Sequence, residues 1–392
     1  MKKSIILPIN QTSGALMTLS KGVAVNEVWK WGSDNLLPVA LANLARQSAT
    51  HRRIINDKAD YIAGRGFSAD ESNPRLDFLV KNANGQRETL RNVLQKVAFD
   101  KCLFGNAFVE IVTDSTGSFL SLYHQDASKC RLSKDRKYVV LHHDWSKFKK
   151  GEAAQISLYP LFTKMTDGTL RAMLHYKDYE PMAENYGLPK YIAALGAASI
   201  AYKTDRWNVS RLDNSFQPSG IMVLDGEVDT EEEAVQIARQ AEKKFAGKPG
   251  QVMFIVKNAA EGDTTKFVPL TAATEGDWRG LHEQATYDIV VAHSWFITLS
   301  GLNYSTGFSA ERIINEYNIA LNSVITVEQS ELIEPIKTVV KKILGTDCSS
   351  LAFINKPPFS TKAPYMRIWE ARREDGLDYD PEDAAEQAFI GR

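Results

Sequence analysis

Apolar positions between residues 274 and 345 follow a helical period. Trp278, Leu281, Ala285, Ile289, Ala292 and Phe296 recur at steps of three and four, which predicts a helix over 274–297 with these side chains on one face. A second stripe, Ile313, Tyr317, Leu321 and Val324, resumes at Leu332, Ile336, Val339 and Ile343 and predicts a longer helix. Ser309 is a good N-cap type with Glu311 in the first turn, and Gly345 stands where a C-terminal cap belongs. Pro335 has no amide to donate, so a bend is expected about one turn before it. SGLNYSTG, residues 300–307, lies between the two helices. It is either a connector or a loop held out by two rigid arms.

Upstream, the pattern alternates between helical and strand periods. Short strands are expected within 4–30. WGSDNLLP, 31–38, reads as a turn in which Asp34 and Asn35 bond their own backbone and Pro38 enters a helix. Helices are expected over 38–64, broken near 48–50 and stopped by Gly64 and Gly66, and residues 67–88 read as loop. The stripe Leu90, Val93, Leu94, Val97 and Ala98 predicts a helix from Thr89 to Leu103, ended by Gly105. A meander follows: strands at 107–112, 119–123 and 138–142, a turn at 114–117, then strands and loops to 180. From 186–189 a helix is expected to run to about 212. Its Ala193, Ala194, Ala197, Ala198 and Ala201 suit close packing on a neighbour, from its own chain or another copy.

Strands at 221–224, 252–256 and 266–270 bracket a helix with a capping box at Thr230 and Glu233, whose apolar face is Ala234, Ile237, Ala238, Ala241 and Phe245. A compact β-α-β-β unit is thus inserted between two long helices, an arm with a head. The fold class is α+β.

The composition is that of an ordinary globular chain: 392 residues, 44% hydrophobic, 24% charged, formal net charge −1. A near-neutral balance excludes a broad phosphate-gripping surface. Three scattered cysteines, Cys102, Cys130 and Cys348, have no metal spacing and read as reduced thiols. No stretch approaches the ~18 apolar residues of a membrane span, and the run after Lys2 and Lys3 is short for a signal peptide.

Catalytic patterns are missing. Gly247–Gly250 lacks the rest of a P-loop, and there is no H-E-x-x-H, no G-x-S-x-G and no paired-cysteine site. His142 and His143 beside Asp144 would face opposite sides of a strand and could not easily share a ligand. His282 and His293 lie three turns apart on one helix. Asp378, Asp380, Glu382 and Asp383 cluster in an acidic tail but lack the glycine and spacing of a calcium loop. No catalytic residue, cofactor or metal is expected.

The order of signals resembles the portal proteins of tailed bacteriophages and prophages. WGSDNLLP with HRRIINDKADYIAGRGF is similar to the opening of a portal wing. LFGNAFVEIVTDSTGSFLSLYHQDASKCRLSKDRKYVVLH is similar to its central strands, and YGLPKYIAALGAASIAYKTDRWNVSRLDNSFQPSGIMVL to a first stem helix and exit strand. DWRGLHEQATYDIVVAHSWFITLSGL and GFSAERIINEY are similar to a second stem helix, tunnel loop and long wing helix.

The resemblance implies a wing over 1–188, stem helices over 189–213 and 273–298, a clip over 214–272 and a tunnel loop over 299–308. It further implies a kinked wing helix over 309–345 and a crown or tail over 346–392. It implies a ring, usually of twelve copies, at one capsid vertex in the virion, assembled in the host cytoplasm. Its partners would be the terminase large subunit, a head–tail adaptor, the major capsid protein and double-stranded DNA passing through the channel, with no membrane. The tunnel loop would be Gly301, Leu302, Asn303, Tyr304, Ser305, Thr306 and Gly307. The docking clip would carry Asp225, Gly226, Glu227, Lys257, Asn258 and Asp263, and the channel surface Lys203, Asp205, Arg206, Arg211, Asp277, Arg279 and Glu283. The competing readings are a subunit of a DNA-processing enzyme or another virion structural component.

Overall fold

A computed structural model describes residues 24–25, 27–70, 72–213, 220–225, 236, 252–257, 266–269, 275–302, 310–358, 367–374, 377–383 and 385–388. In chain order the elements begin with β1 (Ala24–Val25), β2 (Val28–Trp29), α1 (Leu37–Gln47), α2 (Ala49–Ala63), β3 (Phe67–Ser68), α3 (Pro74–Lys81) and α4 (Leu90–Phe104). Next come β4 (Asn106–Thr113), β5 (Leu120–Gln125), β6 (Cys130–Leu132), β7 (Tyr138–Leu141), β8 (Ala154–Ser157), β9 (Thr163–Lys164) and β10 (Leu170–Lys177). Then follow α5 (Leu195–Asp213), β11 (Gly220–Asp225), β12 (Val252–Lys257), β13 (Lys266–Pro269) and α6 (Glu275–Ala292). The series ends with α7 (Ala310–Ala320), a π-helical turn (Leu321–Ile325), α8 (Thr326–Leu344), β14 (Ala352–Phe353) and α9 (Ile368–Glu374). The chain forms two compact units. The first holds Met1–Ala42, Arg53–Lys190 and His293–Arg392, and the second Asn43–Arg52 and Tyr191–Ala292.

In the first unit, an antiparallel sheet in the order β5-β4-β10-β9 carries α4. Thr89 caps α4 by accepting from the Asn92 amide, and Gly105 closes it at φ +65°. All eight residues of β4 are buried, because it is an interior strand covered on both faces. Its Glu110 is tolerated there because Arg171 pairs with it at 3.0 Å and Gln125 donates to it at 2.6 Å. One continuous core joins α3, α4, β4, β5 and β10 to Leu332, Ile336, Val339 and Val340 of α8. A smaller antiparallel sheet, β6-β7-β8, stands beside the WGSDNLLP turn. There the Arg131 guanidinium lies 5.3 Å from the Trp31 ring and 4.8 Å from Trp145, while its Nε donates to Asn35 Oδ1 at 2.6 Å.

Several sequence expectations change. Residues 67–88 are not all loop: Asn73 caps α3, Pro74 starts it, and Leu76 and Leu79 are buried in the core. The chain beyond Leu344 is irregular, as its prolines suggest, yet its start is packed against the first unit's core. Leu351 is fully buried and β14 pairs with β3, Phe353 opposite Phe67. Pro335 sits within unbroken α8, and the irregular turn lies about ten residues earlier, at Leu321–Ile325. Ser323, Thr326 and Ser330 there each donate back to the carbonyl four residues before, a habit that competes with the regular ladder.

In the second unit α5 and α6 pack on one another through Ala198, Ala201, Ala285 and Ile289, all buried. Most of the alanine face is therefore spent within the chain. Only Ala193 is exposed and Ala197 half-buried, which removes Ala194, Ala198 and Ala201 as contacts to another copy. The small sheet runs β12-β11-β13, with β11 parallel to β12 and antiparallel to β13. A parallel pair needs a long crossover, and the helix expected over 230–245 falls in that connection, outside the described residues except for Gln236.

Candidate functional site

The surface of the two-helix unit carries charge of both signs. Lys203, Asp205 and Arg206 are exposed on α5, and Arg279 and Glu283 are exposed on α6. Arg279 Nε donates to Glu283 Oε1 at 2.9 Å, a pair one turn apart worth only a few tenths of a kcal/mol. Asp205 Oδ1 lies 3.6 Å from His282 Nδ1. Arg211 and Asp277 are helical by backbone, and their side chains lie outside the description. Among the expected clip residues, Asp225 and Lys257 are register partners at the ends of β11 and β12. Gly226, Glu227, Asn258 and Asp263 lie outside the described residues, as do Asn303, Tyr304, Ser305, Thr306 and Gly307 of the expected loop.

The foot of that loop is well defined. α6 ends at Ala292 rather than running to 298, since the Lys58 ammonium takes the His293 carbonyl at 2.9 Å and Ser294 turns to φ +49°. Trp295 and Phe296 lie outside any helix, between turns at 293–294 and 297–301, so Phe296 does not extend the helical stripe. Glu316 of α7 accepts from the Thr298 amide at 3.2 Å, from Thr298 Oγ1 at 2.9 Å and from Arg312 Nε at 3.0 Å. Gly301, at φ +70° and exposed, donates its amide to Thr298 at 3.1 Å, and Leu302 donates to the Ile297 carbonyl at 3.2 Å. Glu316 therefore anchors one arm of the loop to the other. The Arg312–Glu316 spacing was visible in the sequence, but its Thr298 partner was not.

The helix expected from 189 begins instead at Leu195, after a 3-10 turn at Ile192–Ala194. The preceding segment is clamped: Asn106 Nδ2 donates to the Gly187 carbonyl at 2.8 Å, and Asn106 Oδ1 accepts from the Gly187 amide at 2.9 Å. Asn106 Oδ1 also faces His175 Nε2 at 3.0 Å, which places the imidazole proton on Nε2. Burial pulls the His175 pKa down to about 3, with Lys177 adding to the effect. The folded value lies below the unfolded one, so the stability of the neutral ring is complete above about pH 6.5 and lost as pH falls through that value toward 3. Unfolding free energy should therefore drop by ~2 kcal/mol between pH 7 and 5 from this group. In a His175→Gln variant, denaturant titrations at the two pH values should show a drop smaller by that amount.

Next to the clamp lies a buried charge cluster that the sequence did not reveal. Lys101 Nζ of α4 is 2.7 Å from Asp178, 2.5 Å from Glu328 and 2.8 Å from Glu331, and Lys190 also contacts Glu328. Burial pushes the Lys101 ammonium down, but Glu328 and Asp178 outweigh it and raise its pKa above the ordinary lysine value. Glu328 is pushed up by burial, yet Lys101 and Lys190 hold it below the usual carboxylate range. Among the described residues, Asp178, Glu328 and Glu331 are the group of ligand-type side chains close enough to share a metal ion, and the Lys101 ammonium already sits against all three. His142 and His143 do not face opposite sides as expected. β7 stops at Leu141 and the rings lie 4.6 Å apart, with His142 Nδ1 accepting from the Asp144 amide. In the acidic tail Asp380 and Asp383 accept from nearby backbone amides, those of Glu382 and Ala385.

Comparison with known proteins then decides the family. A family model described as phage portal protein matches residues 56–272, more than half of the chain. The chain belongs to the phage portal protein family. The probable portal protein of Haemophilus phage HP1 is 23% identical over 311 residues, covering 77% of this portal chain and 81% of its own length. An uncharacterized protein of Rickettsia felis is 23% identical over 221 residues, 55% of this chain and 51% of that protein. Among solved structures, a chain from the neck of an empty gene transfer agent particle, computed with C6 symmetry, superposes with TM-score 0.58 at 16% identity, covering 88% of this chain and 94% of that one. A chain from the neck of the native particle, computed with C12 symmetry, superposes with TM-score 0.55 at 14% identity over the same shares. At such identities the superpositions establish a shared fold.

Proposed function

We propose that this portal-family chain is one subunit of a ring at a single capsid vertex, through whose channel a terminase packages double-stranded DNA and DNA later leaves. The observation that carries this reading is the family match, extended over 88% of the chain by likeness to chains from necks with six- and twelvefold symmetry. In this reading α5 and α6 are the stem, β11–β13 the clip that meets the terminase and then the head–tail adaptor, and 299–308 the tunnel loop. The major capsid protein surrounds the wing.

A passage protein must not hold phosphate strongly, because each retained contact would have to be broken as DNA moves. The mixed-sign, self-paired charges of the stem helices suit that task. So does a loop sequence, Asn303 to Thr306, without Lys or Arg. The Glu316 anchor lets such a loop project from a fixed foot.

Purified chain viewed by negative-stain microscopy should show rings with a central hole, with a mass near twelve copies. Deleting residues 303–306 should leave those rings intact and reduce DNA packaged or retained per particle by at least tenfold. Normal packaging by the deletion variant would remove the role given to the loop. A chain that stays monomeric even with capsid protein present, or that shows nuclease activity, would favour the enzyme-subunit reading.

A further inference from the structure

The chain passes between its two compact units at 42/43, 52/53, 190/191 and 292/293. The last two crossings lead into and out of the long stretch Tyr191–Ala292. On the side of the first unit they are Lys190 and His293, and both are tied to charged groups lying wholly within that unit. Lys190 Nζ contacts Glu328 Oε1. The His293 carbonyl accepts from Lys58 Nζ, a side chain of α2 that is itself buried and lies 5.9 Å from the Trp295 ring. Glu328 stands in the first turn of α8, directly after the π-helical turn.

We propose that the cluster keyed on Glu328 is an anchor that fixes the crossing at Lys190, where the Tyr191–Ala292 stretch begins, to the start of α8, so that these two points of the chain keep one geometry. Packing alone would not need it: burying Lys101, Asp178 and Glu328 together is costly, and an apolar replacement of similar volume is often at least as stable. What ion pairs with fixed partners provide is a unique arrangement of the elements that carry them. Lys190 supports this reading because its side chain is half-exposed and free to extend into water, yet it lies back on a carboxylate that Lys101 already neutralises. The clamp at Gly187 acts three residues upstream of the same crossing. The anchor is independent of the channel reading, since it concerns only how this chain holds its own crossings.

Hydrogen–deuterium exchange on the full chain tests it. Glu328→Gln should speed amide exchange at 190–196 by at least tenfold, with β4, β10 and the Lys58-held segment 293–302 unchanged. Glu110→Gln removes a carboxylate buried to a similar degree, paired with Arg171, and should loosen β10 without touching the crossings. Lys190→Met, at a half-exposed position that leaves the Lys101 pairs in place, should speed 190–196 alone and serves if Glu328→Gln does not fold. Unchanged exchange at 190–196 in Lys190→Met, or exchange there in Glu328→Gln that speeds up no more than in β4 and β10, would overturn the anchor.

Discussion

Replacing Lys101 with methionine is expected to lower the unfolding free energy by about 3–5 kcal/mol, the cost of leaving buried charge without its partner. The methionine fills most of the lysine stem, so little of this loss comes from packing. It comes from Asp178 and Glu328, whose side chains are 6% and 7% exposed; Asp178 would lose its ion pair and Glu328 would keep only its contact with Lys190. In the intact protein Glu328 titrates below the usual carboxylate range, so its contribution is present above that range and lost as pH falls through its folded value. Asp178 is already pushed up by burial despite Lys101, and without Lys101 both carboxyls would rise. The variant should therefore recover part of the deficit between pH 7 and 4, as protonation removes the unpaired charge. Urea titrations at the two pH values measure this as a shift in midpoint at unchanged slope. Replacing Glu328 by methionine as well should restore part of the loss, the share that came from its unpaired carboxylate, and a single variant within about 1 kcal/mol of the parent would show that the cluster is solvated in solution.

What the sequence made legible was what local chemistry encodes. Thr89 and Gly105 bracket α4 as their types demand, Gly345 closes α8 at φ +64°, and the break between α1 and α2 falls at Ser48. Asp34 and Asn35 bond neighbouring backbone as expected, to Leu36 and Trp31. What remained hidden depends on partners distant in sequence. β14 is two residues long and pairs with Ser68 and Phe67 more than 280 positions away, so no periodicity could announce it. Lys101 reads as one more polar residue of an amphipathic helix until Glu328 arrives from 227 positions downstream. Pro335 lies inside the continuous α8, whereas the π-helical turn at Leu321–Ile325 holds Ser323, whose hydroxyl donates back to the Ile319 carbonyl.

The candidate site divides the same way. Order along the chain pointed to the portal family, and the family match shows that membership. The helix ends were not readable: α5 starts late where Asn106 bonds both polar backbone atoms of Gly187, and α6 stops early where Lys58 captures the His293 carbonyl. Both boundaries are set by side chains from the first unit, which helix propensity cannot include.

Gly105→Ala is expected to cost about 4 kcal/mol or more, enough to prevent folding of a marginally stable chain. Gly105 has φ +65°, and a Cβ there would lie 2.3 Å from the Leu188 carbonyl carbon, 2.4 Å from its oxygen and 2.6 Å from the Pro189 nitrogen. These are backbone atoms, and they cannot retreat, because Asn106 bonds both polar atoms of Gly187 and the Asp178 amide donates to the Gly105 carbonyl at 2.9 Å. Gly345→Ala is the matched comparison. Its φ is +64°, but nothing lies within 4 Å of the added carbon, so it should lose only the ~1–2 kcal/mol of left-handed strain. Unfolding of both variants under one set of conditions separates strain from collision. If alanine at 105 costs no more than alanine at 345, the segment 186–190 moves freely enough to accommodate it. The clamp would then not fix where the chain leaves the first unit.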